Sequence, residues 1–184
     1  MSILNTSCSS AIPPAATWQP SFRLWHATAA NLHHARKSCS TRLRTDHSET
    51  SLFDSVRENG EDYILTREDI NGYLDMYLST PEDVNNPYFA PLLETDLTNQ
   101  PRTLVITAEY CPLRDEGETY AARLELEGND VMCVRVLNAV HGYFLYPSVF
   151  GFVRDTYRII ESFLDHQPLP EEDDGAWLAL IGTD

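Results

Sequence analysis

Apolar and polar residues alternate with a regular period only from about residue 45 onward. Ile70, Tyr73, Leu74, Tyr77 and Leu78 recur at helical spacing, which predicts a helix with one apolar face and places both tyrosines in the core. Thr66-Arg-Glu-Asp69 stands just before it in the form of a capping box, a hydroxyl for the first-turn amides and an acid three residues on. Thr80-Pro81 and Asn86-Pro87 mark loop, and the aromatics that follow Pro87 are expected to pack. Thr103-Leu-Val-Ile-Thr107 is β-branched and apolar on both faces, as a buried parallel strand should be. Tyr120, Ala121 and Leu124 then give the buried side of a helix that Gly128 is placed to end. Val131–Leu137 reads as a second strand, with Cys133 a small buried hydrophobe. Val149, Val153, Tyr157, Ile160 and Leu164, with Phe152 and Phe163 alongside, predict a closing helix. Pro168 and Pro170 stop it. Ala176–Ile181 is a short apolar end for which local packing and a partner contact both stand open.

Charge divides the chain more sharply than hydropathy does. Of its 184 residues, 13 are Lys or Arg and 28 are Asp or Glu, a net charge of -15. Residues 1–44 hold Arg23, Arg36, Lys37, Arg42 and Arg44 and no acid, so residues 45–184 carry 13 - 5 = 8 bases against all 28 acids, a balance of -20. The break predicts an irregular leader over 1–44, an α/β domain over 45–166 and an acidic tail over 167–184. The acidic excess argues against nucleic acid or an anionic membrane surface as partner. No apolar run reaches the roughly 20 residues of a membrane span. Cys8, Cys39, Cys111 and Cys133 follow no disulfide or zinc spacing, which leads to reduced thiols and a cytoplasmic location as the expectation.

The candidate chemistry lies between the two strands and just after the second. Glu109-Tyr-Cys-Pro-Leu-Arg-Asp-Glu-Gly117 follows the first strand, and His141-Gly-Tyr143 follows the second. This order resembles the C-terminal part of the hormone-sensitive-lipase-like carboxylesterases, members of α/β-hydrolase fold-3. Their late chain carries Asp-Pro-Leu-Arg-Asp-Glu-Gly with the catalytic acid, then His-Gly-Phe with the catalytic base. The resemblance implies a cofactor-free, metal-free serine esterase acting on short acyl or acetyl esters, with His141 as general base. It places Cys111 at the acid position. Asp115, one helical turn on, is a possible substitute acid; its bland reading, shared with Glu116, is charge at a helix N-terminus. A Cys111 thiolate paired with a His141 imidazolium is a further alternative.

Two family features are missing from the sequence: a Gly-x-Ser-x-Gly nucleophile turn and the His-Gly-Gly-Gly loop that supplies oxyanion-hole amides. The expected fold is therefore the C-terminal portion of an α/β hydrolase, with two or three parallel strands flanked by helices. An edge strand would lie open, a route to self-association. Besides an ester hydrolase reduced to its acid/base half, a non-catalytic remnant or interaction fragment stands as the alternative. The leader adds one clue. Codons for Ala11–Pro20 can be chosen so that the frame one base earlier encodes Gly-Asp-Ser-Ala-Gly-Gly-Asn-Leu-Ala-Ala, the nucleophile turn of the same family. A frameshifted leader is thus expected, beside a transit peptide or a disordered tail.

Overall fold

The computed structural model describes residue 48, residues 51–87 and 89–168, and residues 178–181. The leader over 1–44 and most of the tail over 167–184 lie outside the described residues. Helices α1 (Asp54–Asn59) and α2 (Arg67–Tyr77) come first, followed by short 3-10 turns at Pro81–Asn85 and Pro91–Leu93. Strand β1 (Thr103–Tyr110), helix α3 (Arg114–Leu126), strand β2 (Val131–Val140), helix α4 (Gly151–Leu164) and strand β3 (Leu178–Leu180) complete the order.

β1 and β2 are parallel, in register from Thr103 opposite Val131 to Ala108 opposite Val136. Alternate residues of these strands face opposite helices, as the two-residue period requires. Leu104 and Val134 pack with Ile159 and Phe163 of α4. Val105 and Cys133 pack with Ala121 of α3. A third cluster gathers Ile70, Leu74, Phe89, Ala108, Cys111, Val136, Tyr143 and Val153 at the carboxyl ends of β1 and β2. Ligand sites in open α/β sheets lie at that end.

The sheet is mixed rather than wholly parallel. β3 runs antiparallel on the far edge of β2, with Val134 opposite Leu180 and Val136 opposite Leu178. Its apolar residues come from the segment expected as an acidic tail. Ile181 holds it in place, packing by Val105, Ala121 and Cys133 and donating its N–H to the Cys133 carbonyl at 3.0 Å. Among the described residues no strand pairs with the opposite edge, on β1.

The capping box at α2 forms as its sequence implies: Thr66 Oγ1 accepts from the Asp69 amide at 3.1 Å and Asp69 Oδ2 accepts from the Thr66 amide at 3.1 Å. The expectation that Tyr73 and Tyr77 are core is corrected. They are 49% and 46% exposed while Ile70 and Leu74 are buried, because only that i, i+4 pair of the helix faces the sheet. Tyr77 instead stacks on Phe89, ring centroids 5.5 Å apart. The closing helix also turns differently from its predicted face. Val149 precedes α4 and is exposed, Tyr157 is half exposed, and the buried stripe runs through Val153, Thr156, Ile159 and Phe163. α3 ends as expected: Gly128 takes a φ of +82°, donating to the Glu125 carbonyl at 2.8 Å, a left-handed turn that costs glycine nothing.

Candidate functional site

Cys111 leaves the carboxyl end of β1 and His141 leaves that of β2. Cys111 Sγ lies 3.2 Å from His141 Nδ1. The two residues meet because the parallel register breaks just before them. Ala108 pairs with Val136, but Tyr110 pairs with Val140. One β1 residue, Glu109, therefore faces three on β2 (Leu137, Asn138 and Ala139), two more than a regular ladder allows. Cys111 and His141 are the next residues on each side. Without the two extra residues, His141 would lie roughly 6–7 Å further along β2 at about 3.3 Å per residue.

Both members of the pair are held neutral. Cys111 is 5% exposed. Burial is the main cause of its thiol being pushed up to about 11; a hydrogen bond from the Leu113 backbone opposes that shift, and the negative Glu116 carboxyl adds to it. Burial likewise pushes the His141 imidazolium below its ordinary value of 6.5. A thiolate–imidazolium pair would need the opposite shifts. The contact is a hydrogen bond between neutral groups, either S–H to Nδ1 or Nδ1–H to sulfur according to the ring tautomer.

The chain beyond His141 is anchored on α4. Gly142 adopts φ +73°, a turn that a residue with a Cβ would strain, and leads into the 3-10 turn Tyr143–Leu145. The buried Tyr143 hydroxyl meets Thr156 Oγ1 at 2.8 Å. Thr156 donates its own proton to the Phe152 carbonyl at 2.7 Å, so Tyr143 is the donor in the first bond. Burial is the main cause of Tyr143 being pushed up to about 12. The Tyr143 ring meets Phe152 edge-on, centroids 5.8 Å apart.

Asp115 is engaged elsewhere. Its Oδ2 accepts from the Ser55 amide in the first turn of α1 at 2.7 Å, and its Oδ1 takes the Arg114 Nε–H at 2.8 Å. Ser55 answers with its hydroxyl, donating to the Pro112 carbonyl at 2.9 Å and accepting from the Asp115 amide at 3.1 Å. Burial raises the Asp115 carboxyl, but the bonds from Arg114 and Ser55 and the guanidinium charge outweigh it and hold the group below its ordinary 3.8. Among the described residues, no hydrogen bond joins Asp115 to His141. Its carboxylate caps a neighbouring helix, so the dipole reading of the sequence applies to α1 as well as to its own helix. Arg114 also reaches Glu58 and the Glu109 carbonyl, each at 3.0 Å. Sequence reasoning missed Ser55, Thr156 and the register break at Glu109. Ser55 and Thr156 act through partners roughly 60 and 13 residues away, which no local motif marks. Asn138, a polar residue inside the otherwise apolar end of β2, was the one available hint of the register break.

A family model described as alpha/beta hydrolase fold matches residues 25–145. An arylesterase of Saccharolobus solfataricus is 46% identical over 72 residues, 39% of this chain and 24% of that protein. An ethyl acetate hydrolase of Pseudomonas putida is 30% identical over 95 residues, 52% of this chain and 30% of that protein. Among solved structures, an esterase of Pyrobaculum calidifontis superposes with a TM-score of 0.63 at 30% identity, covering 77% of this chain and 47% of its own. The chain thus spans 24% to 30% of the length of these curated relatives and under half of the solved structure. No helix among the described residues is long and apolar enough to cross a membrane.

Proposed function

Because the chain belongs to the α/β-hydrolase-fold family, we propose that it carries the base-bearing C-terminal part of a carboxylic-ester hydrolase site, with His141 as general base. The single observation that supports this reading is the 3.2 Å contact between His141 Nδ1 and Cys111 Sγ at the carboxyl end of the sheet. With Nδ1 bonded there, Nε2 is left to accept the proton of a serine attacking the ester carbonyl, and later to return it to the leaving alcohol. Cys111 fixes the ring through Nδ1–H donated to sulfur. A neutral thiol stabilises the resulting imidazolium far less than a carboxylate would, so this base is a weak one. Asp115 is a tie between α1 and the turn after β1, not the acid of the site. The substrate class is a small ester with a short acyl group, in keeping with the ethyl acetate hydrolase among its relatives.

The 184 residues contain no Gly-x-Ser-x-Gly, which favours a second reading: as this polypeptide, the chain is catalytically silent. The purified chain is expected to hydrolyse p-nitrophenyl acetate no faster than its His141→Ala variant. His141-dependent turnover would overturn the silence while supporting the base assignment.

A further inference from the structure

One side chain spans the register break between β1 and β2. Glu109, the lone β1 residue opposite three residues of β2, two more than a regular ladder allows, turns its carboxylate onto them: Oε2 accepts the Asn138 N–H at 2.7 Å. Asn138 sits at φ +57°, in the left-handed region that asparagine enters more readily than most non-glycine residues. The Asn138 amide donates to a side-chain carboxylate rather than to a backbone carbonyl of β1, and a charged acceptor makes the stronger bond. Glu109 is itself fixed from behind, its carbonyl accepting from Asn59 Nδ2 at 3.2 Å and from Arg114 at 3.0 Å. Bulges commonly re-aim a side chain beside an active site. Here the bulge moves His141 along β2 until it stands opposite Cys111.

We propose that Glu109 is a positioning residue: its carboxylate, closed on the Asn138 amide, clamps the bulge that brings His141 to Cys111. The role is mechanical. Among the described residues no hydrogen bond joins Glu109 to His141 or Cys111, and its carboxylate acts through residues 138–140. Loss of the clamp lets β2 relax toward the regular register, which carries His141 away from Cys111 and opens the thiol to solvent.

The proposal rests on reading His141 as the working base, but its test reads geometry and not turnover, so the two fail separately. The test compares the 184-residue chain with its Glu109→Ala and Glu109→Gln variants. Histidine-labelled NMR follows the titration of His141, and mass mapping follows iodoacetamide alkylation at Cys111. In Glu109→Ala, the His141 midpoint is expected to rise toward that of an exposed histidine, and Cys111 to alkylate about tenfold faster or more, because modification tracks local opening. Glu109→Gln keeps a carbonyl oxygen for the Asn138 amide and is expected to restore most of both properties. An alanine variant that folds but leaves His141 titration and Cys111 alkylation unchanged would overturn the clamp. So would a glutamine variant as disturbed as the alanine one. Should the alanine variant fail to fold, amide exchange in the unsubstituted chain decides. Slow exchange at the surface-exposed Asn138 supports the clamp, and exchange at open-loop rates contradicts it.

Discussion

Cys111 Sγ and His141 Nδ1 stand 3.2 Å apart as cross-strand neighbours, one residue beyond the last paired positions of β1 and β2. The pair is a hydrogen bond between two neutral groups, in a place where a charged acceptor would hold the imidazole more strongly.

Replacing the thiol with a carboxylate should reveal that difference. In Cys111→Asp, the titration midpoint of His141 should rise by about one pH unit or more, since an opposite charge at this range favours the imidazolium. Histidine NMR titration measures it. An unchanged midpoint would mean that residue 111 does not face the ring in solution.

Acid should weaken the fold through two groups of the same sign. His141 has its folded-state pKa lowered below 6.5 by burial, so the unfolded chain takes up that proton first. Stability therefore falls as pH drops through about 6.5 and levels off below the folded value. Asp115, held below 3.8, adds stability that is full above 3.8 and lost as pH falls through its folded value. Urea midpoints between pH 8 and pH 5 should decline less in His141→Gln than in the unsubstituted chain. Parallel declines would remove His141 as a cause.

The predicted strands, the helix over residues 67–77 and the meeting of a histidine loop with the turn after β1 were legible because each depends on local period or on motif order. The capping box at Thr66 and the stop at Gly128 are interactions within a few residues, which sequence exposes directly. What sequence did not expose was decided by partners far along the chain. Tyr73 and Tyr77 have helical spacing, but which arc of α2 meets the sheet is set by where Ile70 and Leu74 dock. Leu178–Leu180 is too short to be read as a strand until β2 offers it an edge. Asp115 was read against its own helix, whereas Ser55, on α1, is the residue that engages it. The register break needed both strands at once, since neither Glu109 nor Asn138 announces a bulge alone.

Ser55 ties α1 to the turn that carries Cys111. Ser55→Ala removes the donor to Pro112 and the acceptor of the Asp115 amide from a fully buried site. The expected cost is roughly 1–3 kcal/mol in urea unfolding, the range for stranding a buried polar group. A change within error would show that α1 docks by apolar contacts alone.

Tyr143→Phe tests the anchor beyond His141. Thr156 retains its bond to Phe152, so only the tyrosine hydroxyl is lost, and the expected cost is about 0.5–1.5 kcal/mol. The ring still packs against Phe152, and Cys111 alkylation should stay slow. Fast alkylation at Cys111 in this variant would mean that the Tyr143 hydroxyl, rather than the bulge, holds the pair closed.

The leader invites a test on the gene. Its codons for residues 11–20, read one base earlier, are expected to encode a Gly-x-Ser-x-Gly turn. Codons incompatible with that turn would remove the frameshift reading.

The most direct measurement places residues 51–168 of this chain in the corresponding part of the Saccharolobus solfataricus arylesterase and follows p-nitrophenyl acetate hydrolysis by the chimera. With His141 as base and Cys111 as its weak partner, turnover should be slow, fall by about a hundredfold or more in His141→Ala, and rise in Cys111→Asp. A folded chimera whose turnover is indifferent to His141 would contradict the account at its centre.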